Sequence, residues 1–274
     1  MKLGIICGWD EKSFNYVKNK GLECVEFCVN DKYPSEEFLA AAEEIKGFSE
    51  KYSVSVASIG RWGMTRIDEN GEIVPEALQH DLNLISAASI IGCPVFNAGV
   101  NYIEGRSYYE NCLSAIEYLK KLLAFGEEKG VKIATYNCDW SNFVYDDRAW
   151  SIIHTALPTL GIKYDASHCI NRNSDYLKEL IKWGDRVYHV HIKGSLRVGD
   201  DTYDDAPAGL DNVCWGGIFD ILYTKNYNGA LSIEPHSGYW KGPKGQWGVD
   251  FTIKFIRQFI MPEDYADKCD PYMP

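Results

Sequence analysis

The chain has 274 residues, 46% hydrophobic and 24% charged, a balance that suits a folded globular protein and excludes disordered and fibrous classes. Lys and Arg number 28 against 39 Asp and Glu, a net charge of −11, which repels phosphate backbones and argues against nucleic acid as a partner. No apolar run approaches the roughly 18 residues of a membrane helix, and the apolar start of MKLGIICGWDEK is too short for a signal peptide. Nine cysteines form no CxxC pair and mostly lie within apolar runs, so they read as reduced thiols of a cytoplasmic protein.

Short apolar runs alternate with amphipathic stretches. LGIIC at 3–7 precedes a helical pattern at 10–17, and LECVEFCV at 22–29 precedes one at 35–51. VSVASI at 54–59 leads to a helix at 75–91 that opens on Pro75, a residue suited to a first helical position. PVFNAG at 94–99 leads to a helix at 107–129, which begins with a capping box of Ser107 and Glu110 and stops at Gly130. VKIATY at 131–136, GIKYD at 161–165, RVYHVHI at 186–192 and ALSIE at 230–234 follow, with helical patterns at 146–157, 174–184, 215–225 and 248–260. Runs that are apolar on both faces are typical of buried parallel strands. Eight such βα units in about 250 residues predict a (β/α)8 TIM barrel. We read it as one α/β domain over residues 1–260, with residues 261–274 as a C-terminal tail. A doubly wound sheet would begin with a glycine-rich turn, and Cys7-Gly8-Trp9-Asp10 is not one.

Active sites of such barrels form at the C-terminal strand ends. The polar residues there are Glu26 on the second run, Ser58, Arg61 and Trp62 after the third, and Asn97 and Asn101 after the fourth. Tyr136 and Asn137 end the fifth, Asp165 ends the sixth with His168 beyond it, and the seventh carries His189, His191 and Lys193. Glu234 ends the eighth, followed by His236. Asp165, His191 and Glu234 come from three successive runs and form an oxygen and nitrogen donor set that suits a divalent ion. The same carboxylates would also serve as helix caps or lysine partners. His80 and His154 lie within helical patterns and read as structural. Trp9, Trp62, Trp140, Trp215 and Tyr239 fall near strand ends and suggest an aromatic-walled pocket for a sugar ring. Lys241 and Lys244 in KGPKG, or Arg197, are candidates for holding an anion.

The segments GIKYDASH at 161–168, YHVHIKG at 188–194 and YNGALSIEP at 227–235 resemble the sugar phosphate isomerase/epimerase family of xylose isomerase-like TIM barrels. LECVEF at 22–27 looks like that family's second strand. The resemblance implies an isomerase or epimerase that acts on a ketose, keto-sugar or sugar phosphate through an enediolate. Its divalent metal, Mn²⁺ or Mg²⁺ foremost and otherwise Zn²⁺ or Co²⁺, would be held by Asp165, His191 and Glu234. Glu234 would be the base, with Tyr136 or His168 as acid. Glu26, Trp62, His168, Lys193 and Arg197 would contact substrate, and the partner is a small sugar rather than a membrane or nucleic acid. A homo-oligomer is a further expectation. The family's fourth ligand, a strand-five Glu, is replaced in Tyr136-Asn137-Cys138, although Asp139 is close in sequence. With a single base, a 1,2-proton shift or a lyase-type elimination remains open, as does a sugar-binding subunit without turnover. The related DNA-repair endonucleases share the barrel but use a three-zinc cluster, for which six histidines and an acidic surface are a poor basis.

Overall fold

The structure is a computed structural model that describes residues 1–30, 32–262 and 265. Eight parallel strands close into one barrel: β1 (Lys2–Ile6), β2 (Cys24–Cys28), β3 (Ser55–Arg61), β4 (Val95–Ala98), β5 (Lys132–Tyr136), β6 (Gly161–Tyr164), β7 (Val187–Ile192) and β10 (Ala230–Ile233). Each coincides with one of the apolar runs. Closure occurs where β1 hydrogen-bonds both β2 and β10. The remaining strands, β8 (Leu196–Val198) and β9 (Asp201–Asp204), form a separate antiparallel pair. Sequence reading missed this hairpin because it is short and solvent-facing, without the apolar alternation that marks a half-buried strand.

The helices are α1 (Glu11–Asn19), α2 (Ser35–Ala40), α3 (Ala42–Tyr52), α4 (Pro75–Ile91), α5 (Tyr108–Lys129), α6 (Asp147–Ala156), α7 (Ala166–Asn171), α8 (Tyr176–Trp183), α9 (Trp215–Thr224) and α10 (Gly242–Arg257). The expected helix at 35–51 is two helices meeting at Ala41, whose N–H bonds back to Glu37 and Leu39 carbonyls. Short α7 was not expected; it starts where Asp165 accepts from the Ser167 N–H. α10 begins at Gly242 rather than 248, with Pro243 in its first turn. The Ser107–Glu110 capping box and the Gly130 stop, in left-handed φ of 69°, are both present. Of the expected tail, residues 263–264 and 266–274 lie outside the described residues. Among the described residues, no helix is long and apolar enough to cross a membrane.

Leu3, Val25, Phe27, Ile59, Phe96, Ile133, Ile162 and Leu231 are buried with apolar helix side chains such as Phe14, Leu84, Leu119 and Ile153. Each such side chain stabilises the fold by roughly 1.5–3 kcal/mol. The loop after β3 is fixed by a buried network. Arg66 Nε donates to Asp81 Oδ2 at 2.7 Å, and the Tyr118 hydroxyl donates to the same oxygen at 2.6 Å. Asn101 Oδ1 accepts the Arg66 and Ile67 N–H groups at 2.7 and 3.0 Å. Arg66 Nη2 also donates to the Arg61 carbonyl at 3.0 Å, and the N–H of the next residue, Trp62, donates to Asn30 Oδ1 at 2.9 Å.

Candidate active site

The barrel interior is polar at its C-terminal end because register places polar side chains side by side. Tyr136 on β5 pairs with Lys163 on β6, and Lys163 pairs with His189 on β7. His191 on β7 lies beside Ser232 on β10. Above this layer Asp165 follows β6, Lys193 follows β7 and Glu234 follows β10. A cavity of about 300 Å³ opens here, lined by Trp62, Trp140, Lys163, His168, Lys193 and Glu234, with His191 at its floor and His236 at its rim. That volume is at the small end of small-molecule sites.

His191 is the hub. Its Nδ1 lies 2.9 Å from Glu234 Oε2 and 3.6 Å from Asp165 Oδ2, and its Nε2 lies 2.9 Å from Glu26 Oε2. His189 Nε2 donates to Glu26 Oε2 at 2.6 Å. Desolvation works against every charge in this cluster, and the mutual attractions overcome it. Glu26 is held well below the usual carboxylate range by His189 and His191. His191, between carboxylates, is pushed up to about 10, while burial keeps His189 below its ordinary value. The Glu234 carboxyl is lowered to about 2 through its hydrogen bond to His191 and the charges of His191, Lys193 and Lys163. Asp165 is also held well below its ordinary range, with His168, His191, Lys193 and Lys163 around it. Burial lowers His168 to about 4, so its ring is neutral near pH 7. Burial opposes the charge on Lys193, but Asp165, Glu234 and Asp205 hold its pKa above the ordinary value.

Asp165, His191 and Glu234 place one donor atom each within 4.8 Å of one another, and Glu26, His189 and His191 form a second such group. Asp165 Oδ1 is used by the Ser167 N–H and hydroxyl at 2.9 and 2.7 Å, but Oδ2, buried and 3.5 Å from His168 Nε2, has no hydrogen bond among the described residues. A buried carboxylate oxygen without a hydrogen bond, an imidazole nitrogen and a second carboxylate fit a divalent cation. If His191 bound it through Nδ1, its Nε2–H would remain on Glu26, the usual carboxylate support of a metal-bound histidine.

The other expected site residues fall unevenly. Glu26, expected to touch substrate, is wholly buried behind the two histidines and does not line the cavity. Tyr136, expected as an acid, is also fully buried; its ring stacks on Trp62 at 5.3 Å and its hydroxyl donates to the Trp140 carbonyl at 3.3 Å. Burial raises that phenol to about 12. Arg197 is turned away, its guanidinium bonded to the carbonyls of Ile170 and Asp200. Asp139 is exposed outside the cavity. Arg61 Nη1 donates to the Val29 carbonyl at 3.1 Å, and Asn97 Nδ2 donates to the Ser58 hydroxyl at 2.7 Å inside the barrel. Lys244 rests over the Trp240 ring at 4.6 Å, and Lys241 is exposed. Of the expected aromatic walls, Trp62 and Trp140 line the cavity, while Trp9 packs on Phe27 and Phe38 and Tyr239 stacks on Tyr203. Sequence reading missed Lys163. Its signal was a charged residue inside an apolar strand run, two before Asp165 and therefore on the same face.

The molecule is thus a (β/α)8 barrel with a carboxylate–histidine centre at the C-terminal ends of its strands. The chain belongs to the xylose isomerase-like TIM barrel family, whose sequence profile matches residues 14–257. Comparison with curated proteins gives no match. Among solved structures it is similar to a D-psicose 3-epimerase from Clostridium cellulolyticum H10, with a TM-score of 0.76 at 11% identity over 96% of this chain and 100% of that one. A D-allulose 3-epimerase from Methylomonas sp. gives 0.74 at 18% identity over 95% and 98% of the two chains. The 3-keto-D-glucoside 4-epimerase from E. coli gives 0.74 at 16% identity over 94% and 99%. At these identities the likeness is one of fold.

Proposed function

We propose that the protein is an isomerase or epimerase of a sugar or keto-sugar that moves a proton at the carbon beside a carbonyl, with Glu234 as base. The observation that carries this reading is the convergence of Asp165, His191 and Glu234 at the cavity, with Asp165 Oδ2 buried and without a hydrogen bond among the described residues. A divalent ion, Mn²⁺ or Mg²⁺ foremost and Zn²⁺ or Co²⁺ otherwise, would be held by those three residues and would supply Lewis-acid polarisation of the substrate oxygens.

The chain's own residues account for the rest. Glu234 is ionised at neutral pH and lines the cavity; with Oε2 on His191, Oε1 is the oxygen that would accept the proton. His168, neutral and lining the same cavity, is placed to hydrogen-bond a substrate oxygen and to carry a proton between oxygens. Trp62 and Trp140 offer aromatic faces to the sugar and exclude water. Tyr136 is a support for Trp62 rather than an acid. Because Glu234 is the one carboxylate among the described residues that line the cavity, a lyase reaction is the second reading: the same abstraction followed by loss of a β-hydroxyl.

The test is solvent-deuterium incorporation into a panel of ketoses and keto-sugars, read by NMR. Wild-type protein should label the carbon beside the carbonyl, and Glu234→Gln should slow labelling by about 10²–10⁴-fold. Full labelling by Glu234→Gln would remove Glu234 as base. A product lighter by one water would decide for the lyase.

A further inference from the structure

Lys163 and Lys193 are 1% and 4% exposed and both line the cavity. Neither ammonium makes a hydrogen bond among the described residues. The nearest carboxylate oxygen among the described residues is 3.9 Å away in each case, Asp165 Oδ2 for Lys163 and Asp205 Oδ2 for Lys193. Lys163 Nζ also lies over the Trp62 ring, 5.7 Å from its centroid. A buried ammonium without hydrogen bonds is costly, and a lysine present only to neutralise a carboxylate closes to about 2.7–2.9 Å. Asp205 already has a closer partner in His236 Nδ1, at 2.6 Å. The other cations considered for an anion are engaged or outside the cavity: Arg197 on backbone carbonyls, and Lys241 and Lys244 at the exposed start of α10.

We propose that Lys163 and Lys193 are specificity-determining residues that together bind an oxyanion on the substrate. On the sugar reading above, which this inference deepens, the substrate is then an acidic polyhydroxy-carbonyl compound rather than a neutral ketose. The shared chemistry is a carboxylate or a phosphate, either of which accepts charge-assisted hydrogen bonds from both ammonium groups.

Isothermal titration of the intact protein tests it. The probes are D-fructose, D-fructuronate and D-fructose 6-phosphate, which differ only at the terminal carbon, together with glycerol and D-glycerate as a three-carbon pair without the hexose frame. The acidic member of at least one set should bind 10-fold or more tighter than its neutral counterpart, and the carboxylate and phosphate arms identify which oxyanion the site takes. Lys163→Met and Lys193→Met should each weaken the acid by about 10- to 100-fold and bring the acid-to-neutral ratio towards one. Lys193→Met lies beyond the end of β7 and serves if Lys163→Met does not fold. Equal or tighter binding of the neutral member, an acid preference that survives both substitutions, or no binding of any probe up to about 10 mM overturns the proposal. D-Glycerate binding with none of the hexose forms would leave the clamp standing and remove the sugar reading. D-Fructose binding without acid preference would do the reverse.

Discussion

Glu26→Gln preserves size and removes one buried charge. Two imidazoles donate to this carboxylate, His189 Nε2 at 2.6 Å and His191 Nε2 at 2.9 Å, and all three groups are buried. An amide NH₂ meets an imidazole N–H in either orientation: at the Oε1 position it faces His191 Nε2 at 3.0 Å, and at the Oε2 position it faces His189 Nε2 as well. His189 could change tautomer, but its Nδ1 has no hydrogen-bond partner among the described residues, so the moved proton would be stranded. Removing one member of a buried charge pair costs about 3–5 kcal/mol, and since one hydrogen bond survives we take about 3. At about 2–4 °C per kcal/mol for a domain of this size, the unfolding midpoint should fall by about 6–12 °C. Calorimetry of Glu26→Gln against wild type checks this, with the exposed Glu117→Gln as a control that should shift by under about 0.5 kcal/mol. A Glu26→Gln midpoint within about 2 °C of wild type would refute the reasoning: Glu26 would not then be the charged support of His189 and His191.

Three further outcomes follow from the structure. His154, on α6 between Thr135 Oγ1 and the Leu160 carbonyl, is lowered by burial to about 4 from an ordinary 6.5. The unfolded chain therefore binds a proton that the folded chain refuses between those values, so its contribution is complete above pH 6.5 and is lost as pH falls to 4. The loss is about 1.4 kcal/mol per unit, roughly 3 kcal/mol in all, and urea denaturation of His154→Gln should show a slope flatter by that amount. Gly194→Ala should destabilise by about 1–3 kcal/mol, because a Cβ there would lie 2.0 Å from the Ala206 carbonyl oxygen and the segment carrying β8 and β9 must move. Trp62→Ala removes both the cavity wall and the ring stacked on Tyr136, and should weaken binding of whichever sugar is turned over by about 10-fold or more, seen as a raised KM.

The barrel was legible because buried parallel strands leave short apolar runs, and eight of them alternating with helices admit few closures. What escaped was structure without such a signature. Ala41 divides α2 from α3 without glycine or proline, and β8 and β9 are stabilised by each other rather than by a core. The donor set Asp165, His191 and Glu234 could be proposed from strand ends alone, since position along a barrel strand fixes height in the barrel. Side-chain direction beyond the strands could not. Arg197 and Tyr136 have the right chemistry at suitable positions, yet one guanidinium is consumed by backbone carbonyls and the phenol is covered by Trp62. Lys163 passed unnoticed because a lysine within an apolar run looks like a solvent-facing exception until the register places it inside.

The most direct test of the account is the metal content of the purified protein, measured by elemental mass spectrometry beside His191→Ala. One equivalent of Mn, Mg, Co or Zn in wild type, lost in His191→Ala, is the expected result and places the ion with Asp165, His191 and Glu234. No metal in either sample, even after incubation with Mn²⁺, would contradict it and leave the cluster to operate through its histidines, carboxylates and lysines alone.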